Sequence, residues 1–173
     1  MRVGLGQDVH RLAEGRRLVV GGVVLDERRG AVAHSDGDAL LHAVIDALLG
    51  AAGLGDIGDQ FPDADPQYAG IDSRELLRRA AALVAGRGFR VVNIDATVTL
   101  EKPRLGPLKQ QMREVIAADL GLPADAVNVK AKTAEGLGEL GRGEAVAAQA
   151  VALIEKAEIK PRRTRGTRRR GEG

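Results

Sequence analysis

The sequence predicts a single domain that combines α-helices and β-strands. A length of 173 residues suits one hydrophobic core, and an apolar content of 44% is enough to fill it. Stretches with the two-residue apolar period of strands take turns along the chain with stretches of helical period. Gly and Pro separate these stretches, as they do between the elements of a mixed fold.

The first part of the chain predicts a strand, a hairpin, a helix and a loop, in that order. Residues 3–9 alternate in polarity, and Gly21-Gly22 joins two short β-branched runs in the manner of a hairpin turn. Apolar residues recur at helical spacing over residues 38–52. Residues 53–72 are rich in Gly, Pro and Asp, so we expect a long irregular loop, which in a compact domain is usually functional.

The next helix is predicted to begin at Asp72, because Glu75 follows at the spacing of a helix N-terminus. The expected elements are a helix over 72–86, a strand over 89–100, a helix over 108–120, a strand over 126–132 and a Gly-rich loop over 136–143. Residues 144–159 leave helix and strand both open. Their alanines favour a helix, whereas the parity of their apolar residues favours a strand.

Charge divides the chain into an acidic body and a basic tail. Residues 160–173 hold seven of the 26 Lys and Arg residues and only one of the 24 Asp and Glu residues. Residues 1–159 therefore carry 19 basic and 23 acidic side chains. We expect residues 1–157 to form the folded domain and residues 158–173 to be a disordered basic tail. Nucleic-acid binding through the tail is a minor alternative, because the body is acidic and nearly without aromatic residues.

Composition excludes several other classes. The chain has no Cys, which excludes disulfides, thiolate metal sites and a cysteine nucleophile. No apolar run approaches the roughly 20 residues of a membrane span, and the first residues lack the apolar stretch of a secretory signal. We therefore expect a cytoplasmic protein without a membrane partner.

Histidines and carboxylates near the start predict a metal site. Asp8 and His10 share one face of the first strand, and His42 lies on the first long helix. A helix packed across that strand would bring the three together, and two imidazoles with one carboxylate suit Zn²⁺ with an open fourth position. Asp46, one turn after His42, could accept its second ring N–H. The spacing alone is equally compatible with ordinary hydrogen-bonded histidines.

Other polar segments suit a phosphorylated ligand. His34 and Ser35 precede the helix N-terminus, which is a natural phosphate site, although Ser35, Asp36 or Asp38 could simply cap the helix. The acidic residues of 56–66 suit the hydroxyls of a sugar or polyol. Connecting turns with charged side chains occur at 101–106, 132–135 and 141–143.

Five segments, taken in order, share the pattern of one known family: DVH at 8–10, AHSDGDALLHAVIDALLGAAGLGDIGDQFPDADP at 33–66, DSRELL at 72–77, NVKAKTAEGLG at 128–138 and GRGE at 141–144. The chain resembles the 2-C-methyl-D-erythritol 2,4-cyclodiphosphate synthases of the non-mevalonate isoprenoid pathway. The resemblance implies a homotrimer of α+β subunits, each with a four-stranded mixed sheet backed by helices on one face. It also implies active sites between neighbouring subunits and a strand over 144–156.

The implied activity is that of a phosphorus–oxygen lyase acting on a small molecule. The 2-phosphate of 4-diphosphocytidyl-2-C-methyl-D-erythritol 2-phosphate would attack the β-phosphorus and expel CMP. The family pattern gives one Zn²⁺ per subunit to Asp8, His10 and His42, and a second ion, Mg²⁺ or Mn²⁺, to Glu135. His34 and Thr133 would be the catalytic residues.

The resemblance also implies which residues contact the substrate. They are Asp8, His10, His34, Ser35, Asp56, Ile57, Gly58, Phe61, Pro62, Asp63, Ala64, Asp65, Leu100, Pro103, Arg104, Leu105, Gly106, Ala131, Lys132, Thr133, Ala134, Glu135 and Arg142. Residues 100–106 and 131–133 would come from a neighbouring subunit. A zinc-dependent nucleotide phosphohydrolase is the alternative enzyme.

Two positions depart from the family pattern. Glu139 stands where a phenylalanine is expected to line an apolar channel on the trimer axis, beside Arg142. We expect Glu139 to pair with Arg142 and so to weaken any binding of an isoprenoid diphosphate there. Lys132 replaces a common threonine, which would alter nucleotide contacts rather than the chemistry.

Overall fold

The computed structural model describes residues 1–26 and 28–157. The predicted disordered tail over 158–173 lies outside the described residues. The strands are β1 (Arg2–Glu14), β2 (Leu18–Val20), β3 (Val23–Asp26), β4 (Arg29–Ala31), β5 (Phe89–Thr99), β6 (Val127–Lys132) and β7 (Ala145–Lys156). The helices are α1 (Ala39–Ala52), α2 (Ile57–Gln60), α3 (Ser73–Gly86), α4 (Lys109–Leu120) and α5 (Gly138–Gly141), with 3₁₀ turns at Pro66–Tyr68, Gly106–Leu108 and Ala124–Ala126.

The main sheet has five strands in the order β4-β1-β7-β5-β6, so the expectation of four strands is wrong. The fifth strand, β4, pairs with the far end of β1, where Leu12 faces Ala31 and Glu14 faces Arg29. β1 thus runs well beyond the predicted residues 3–9, because each half of it has its own partner. The sheet is mixed, as expected: β5 and β6 are parallel, and the other pairs are antiparallel.

The last strand resolves the ambiguity over residues 144–157, the part of that segment that the structure describes. β7 lies in the middle of the sheet, between β1 and β5, and its small residues Ala148, Ala150 and Ala152 are buried. Pairing on both edges outweighs the helical propensity of these alanines, since propensity is a weak preference that tertiary context overrides. The family pattern therefore gave the right element where propensity left two.

The loop expected over 53–72 contains regular structure. Asp56 and Asp59 form a reciprocal capping box at the ends of the short helix α2, and Asp65 caps the 3₁₀ turn that follows. The aspartates that made this segment look irregular are thus helix caps, because a carboxylate can accept the free N–H groups of a first turn. The predicted cap of α3 at Asp72 is confirmed.

Two glycines bring helix α1 onto strand β1 at backbone contact. A Cβ atom at Gly4 would overlap the carbonyl oxygen of Ala47, and one at Gly6 would overlap that of Ala43. Only glycine allows this approach, which fixes the height of α1 above the sheet. The residues that follow on both elements, toward the far end of β1 and the start of α1, are therefore held close together.

The face of the sheet that the helices do not cover exposes apolar side chains. On β1, the side chains of Val3, Leu5 and Val9 are 67%, 68% and 64% exposed, and Val151 of β7 is also exposed. Their parity along the strands places them away from the helix-covered side. None of the helices among the described residues is long and apolar enough to span a membrane.

Candidate active site

Three of the predicted ligands meet where α1 crosses β1. The Oδ2 atom of Asp8 lies 2.8 Å from Nε2 of His10 and 3.0 Å from Nδ1 of His42. The two imidazole nitrogens lie 3.1 Å apart. The predicted convergence of the three side chains is confirmed, and it follows from the close packing at Gly6.

The cluster favours a charged carboxylate. Burial alone would raise the pKa of Asp8, but hydrogen bonds with His10 and His42 outweigh it and hold that pKa well below its usual range. Burial likewise opposes the charging of His42, yet the hydrogen bond and the charge of Asp8 raise its pKa. The lowered pKa of Asp8 keeps its carboxylate in the charged form that a metal ion requires.

The donor set fits a zinc ion. Asp8, His10 and His42 each offer one ligand atom, and these atoms lie within 4.8 Å of one another. Ligands of a tetrahedral zinc ion, with bonds of about 2.0–2.2 Å, are roughly 3.3 Å apart, close to the 2.8–3.1 Å seen here. Three protein ligands leave a fourth position, which is the pattern of catalytic rather than structural zinc sites.

The cluster opens into a cavity of about 380 Å³, which we call the histidine cavity. Of the predicted site residues, it is lined by Asp8, His10, His34, Ser35, His42, Ile57, Gly58, Phe61 and Asp63. Asp56, Pro62, Ala64 and Asp65 lie on the same loop, where Asp56 and Asp65 act as helix caps. The other lining residues, which were not predicted, are Val32, Ala33, Tyr68, Ile71 and Leu76.

The cap of α1 is Asp38, one of the three candidates that the sequence offers. Asp38, rather than Ser35 or Asp36, accepts the N–H of Leu41, and it also accepts those of Gly21 and Gly22 from the β2–β3 turn. Burial raises the pKa of Asp38 despite these three donors. Ser35 is thereby left at the cavity wall, where its hydroxyl accepts the N–H of Gly37.

The second nitrogen of His42 is held by serines. Its Nε2 atom lies 2.9 Å from Oγ of Ser73 and 3.1 Å from Oγ of Ser35. The expectation that Asp46 takes this role is wrong, because Asp46 Oδ1 instead accepts the N–H of Ile57 at the start of α2. Sequence reasoning missed Ser73 because it is 31 positions away from His42, and no local signal joins the two.

The remaining predicted residues form a second group, the loop half-site, defined as residues 100–106, 131–135 and 142. Pro103, Arg104 and Arg142 line an opening of their own, of about 760 Å³. Within the described chain, no residue of the loop half-site lines the histidine cavity. Leu100 and Leu105 are buried, so they can offer a ligand their backbone groups only.

Contacts inside the loop half-site are few. The carboxylate of Glu101 accepts the N–H of Ala134, and the Thr133 hydroxyl donates to Glu135 over 2.6 Å. Glu135 has a left-handed backbone, with φ of 51°. Ala131 and Lys132 end strand β6 beside Val98 and Thr99 of β5.

Arg142 is already paired within the chain. Its guanidinium donates to Glu144 and lies 3.5 Å from Glu139. The predicted pairing with Glu139 is confirmed. Because both partners are carboxylates, an anionic ligand at Arg142 would have to displace them.

The fold and the cavity together define a class of protein: an α+β domain with a candidate catalytic metal centre between a glycine-rich strand and the helix packed on it. Comparisons with known proteins agree. The model of the YgbB family matches residues 1–155. The 2-C-methyl-D-erythritol 2,4-cyclodiphosphate synthase of Dechloromonas aromatica is 58% identical over 155 residues, which are 90% of this chain and 97% of that protein.

Solved structures are similar throughout the domain. The bifunctional IspDF from Campylobacter jejuni superposes with a TM-score of 0.86 at 43% identity, over 90% of this chain and 42% of that longer one. A 2C-methyl-D-erythritol-2,4-cyclodiphosphate synthase in its CDP-bound form gives a TM-score of 0.81 at 44% identity, over 89% and 100% of the two chains. The chain therefore belongs to the YgbB family, and it is an enzyme of the cyclodiphosphate synthase class, a lyase of isoprenoid biosynthesis.

Proposed function

We propose that the enzyme converts 4-diphosphocytidyl-2-C-methyl-D-erythritol 2-phosphate to 2-C-methyl-D-erythritol 2,4-cyclodiphosphate in a metal-dependent reaction that releases CMP. The observation that carries the proposal is the cluster of Asp8, His10 and His42, which opens into the same cavity as His34 and Ser35. Metal ligands and phosphate-binding groups thus face one small space. The reaction class is that of the cyclodiphosphate synthases to which the chain is similar.

The reaction is an intramolecular phosphoryl transfer. An oxygen of the 2-phosphate forms a bond to the β-phosphorus, and the bond from that phosphorus to the bridging oxygen breaks, so that CMP leaves with the bridging oxygen. Both reacting groups belong to one substrate, so no protein nucleophile is needed. The protein contributes by folding the substrate into line and by neutralising charge.

Each residue of the histidine cavity has a part in this arrangement. Asp8, His10 and His42 would hold zinc, which when bound supplies a Lewis acid for the β-phosphate. His34 and Ser35 would bind the 2-phosphate beside them. Asp63 would hold the hydroxyls of the methylerythritol part, and Asp56 and Gly58 would hold the ribose or erythritol part.

The loop half-site would complete the site from a neighbouring subunit of a homotrimer. In this reading Glu135 holds Mg²⁺ or Mn²⁺, Thr133 stabilises the transition state, and residues 100–106 bind the cytidine. Two features support it. The loop half-site lies apart from the histidine cavity within one chain, and the uncovered sheet face exposes Val3, Leu5 and Val9, which assembly would bury.

The test follows CMP by chromatography after the purified enzyme is mixed with the diphosphocytidyl substrate. We expect CMP and the cyclic product when Zn²⁺ and Mg²⁺ are supplied, and loss of both after chelation. A parallel reaction in ¹⁸O-labelled water separates the alternative of a phosphohydrolase, which would place the label in a linear product. Failure to release CMP with both metals present would refute the proposal.

A further inference from the structure

Behind His42, away from the cavity, lies a short chain of hydrogen bonds that the reaction does not use directly. It joins the first residue of α3, Ser73, to Asp36 in the loop before α1. Ser73 is fully buried and His42 nearly so. Water therefore cannot replace these contacts at low cost.

Asp36 accepts two hydrogen bonds from Ser73. One carboxylate oxygen accepts the backbone N–H of Ser73 over 3.1 Å, and the other accepts its hydroxyl over 2.5 Å. Backbone hydrogen bonds from Gly70 to His34 and from Asp36 to Ile71 join the same two segments. The position of the Ser73 hydroxyl is therefore set by the pairing of two loops.

These donors and acceptors fix which nitrogen of His42 carries a proton. The single hydroxyl proton of Ser73 is committed to Asp36, because a carboxylate can only accept. Toward Nε2 of His42, at 2.9 Å, Ser73 can therefore only accept, so this contact forms when Nε2 is protonated, and Ser35 Oγ at 3.1 Å can accept the same proton. In a neutral imidazole the lone pair then lies on Nδ1, the atom that faces Asp8 and His10.

We infer that Ser73 and Asp36 are positioning residues for metal binding, which present His42 to the metal through Nδ1 and hold its ring in that orientation. The inference rests on the proposed function, since it requires that Asp8, His10 and His42 bind zinc. Partners of this kind, behind a histidine ligand, are typically worth 10- to 100-fold in metal affinity. Ser73 has no access to the substrate, so its effect on the reaction can pass only through His42.

The experiment measures zinc affinity by competition with a chromophoric chelator, so that it does not depend on activity. Ser73→Ala removes the acceptor, and we expect a 10- to 100-fold weaker affinity for zinc. Ser73→Thr keeps the hydroxyl and should recover most of the loss. Asp72→Ala is the matched control: it removes the cap of the same helix, one position earlier, without contacting His42. We expect it to lower thermal stability and to leave zinc affinity within about twofold.

A second measurement uses the unmodified enzyme and so does not depend on how a variant folds. ¹⁵N NMR of the zinc-loaded protein should show His42 protonated at Nε2. An unprotonated Nε2 would overturn the inference, and so would Ser73→Ala protein that binds zinc as tightly as the unmodified enzyme. If the unmodified enzyme itself fails to bind zinc, the metal proposal falls and the inference falls with it, so the two failures are distinguishable.

Discussion

The two halves of the candidate site are held in place in different ways. In the histidine cavity, Asp8, His10 and His42 contact one another, and Ser35 and Ser73 hold the far side of His42. In the loop half-site, Thr133 donates to Glu135, Ala134 donates to Glu101, and Arg142 pairs with Glu144 and Glu139. The first half thus holds its functional side chains in one cluster, whereas the second holds them in separate local contacts. The difference supports the proposal that a single chain binds zinc, whereas catalysis requires the loop half-site of a neighbouring subunit.

The largest expected effect comes from removing a ligand in the histidine cavity. His42→Ala should abolish zinc binding and lower the rate of CMP release roughly 10²- to 10³-fold, because a Lewis acid contributes several kcal/mol to such a reaction. Metal analysis and the CMP assay on one preparation check both effects. Zinc bound at the level of the unmodified enzyme would show that His42 is not a ligand.

A side chain at Gly6, where α1 packs on β1, should push the helix away from the strand and so displace the ligands of the histidine cavity. Gly6→Ala places a methyl group against the carbonyl of Ala43, so we expect a loss of about 3 kcal/mol in the free energy of unfolding, together with weaker zinc binding. Gly50→Ala is the control on helix α1, which Gly6 contacts, since a Cβ at Gly50 has no atom within 4 Å. It should gain about 0.5–1 kcal/mol. Equal urea midpoints for the two variants would contradict the role of Gly6.

A change in the loop half-site should separate catalysis from metal binding. Thr133→Ala is expected to slow CMP release about 10²-fold, the lower end of the range for loss of a group that stabilises the transition state. Zinc affinity should stay unchanged, because Thr133 does not line the histidine cavity. Chelator competition and the CMP assay, run side by side, check the pair of expectations. A parallel loss of zinc would mean that the two halves are not independent.

The smallest effect concerns the ion pairs between Asp119 on α4 and the arginines Arg74 and Arg78 on α3. Burial opposes the charge of Asp119, but hydrogen bonds from Arg74 and Arg78 outweigh it and lower the pKa of Asp119. A lowered pKa in the folded state contributes stability above the unfolded value of about 3.9, and that contribution is lost as the pH falls through the folded value.

Asp119→Asn should therefore cost about 1 kcal/mol at pH 7, and the difference from the unmodified enzyme should narrow below about pH 4. Urea unfolding over this pH range measures it. Glu75→Gln, which removes exposed ion pairs within α3, is the control and should cost less than Asp119→Asn, because solvent screens exposed pairs. If the difference in the free energy of unfolding persists unchanged at low pH, the ion pairs of Asp119 do not stabilise the fold.

Periodicity and turn residues predicted most helices and strands, since hydrophobic spacing is a local property. They failed where tertiary contacts determine the secondary structure of a segment. β7 is a strand because it has a neighbour on each edge, and β4 is visible only through its pairing with β1. The convergence of Asp8, His10 and His42 was predictable from the residue types and the crossing of helix and strand. The partners of His42 were not, because Ser73 reaches it through the tertiary pairing of two loops.

The claim that the two halves meet between subunits is tested most directly by mixing two inactive variants. One carries His42→Ala, and the other carries Thr133→Ala with Glu135→Gln. The two are co-expressed with different tags and purified as mixed assemblies. In a cyclic trimer each mixed assembly has one interface at which both halves are intact, so we expect about one third of the activity of the unmodified enzyme. Activity no higher than that of the two separate variants would contradict a site shared between subunits.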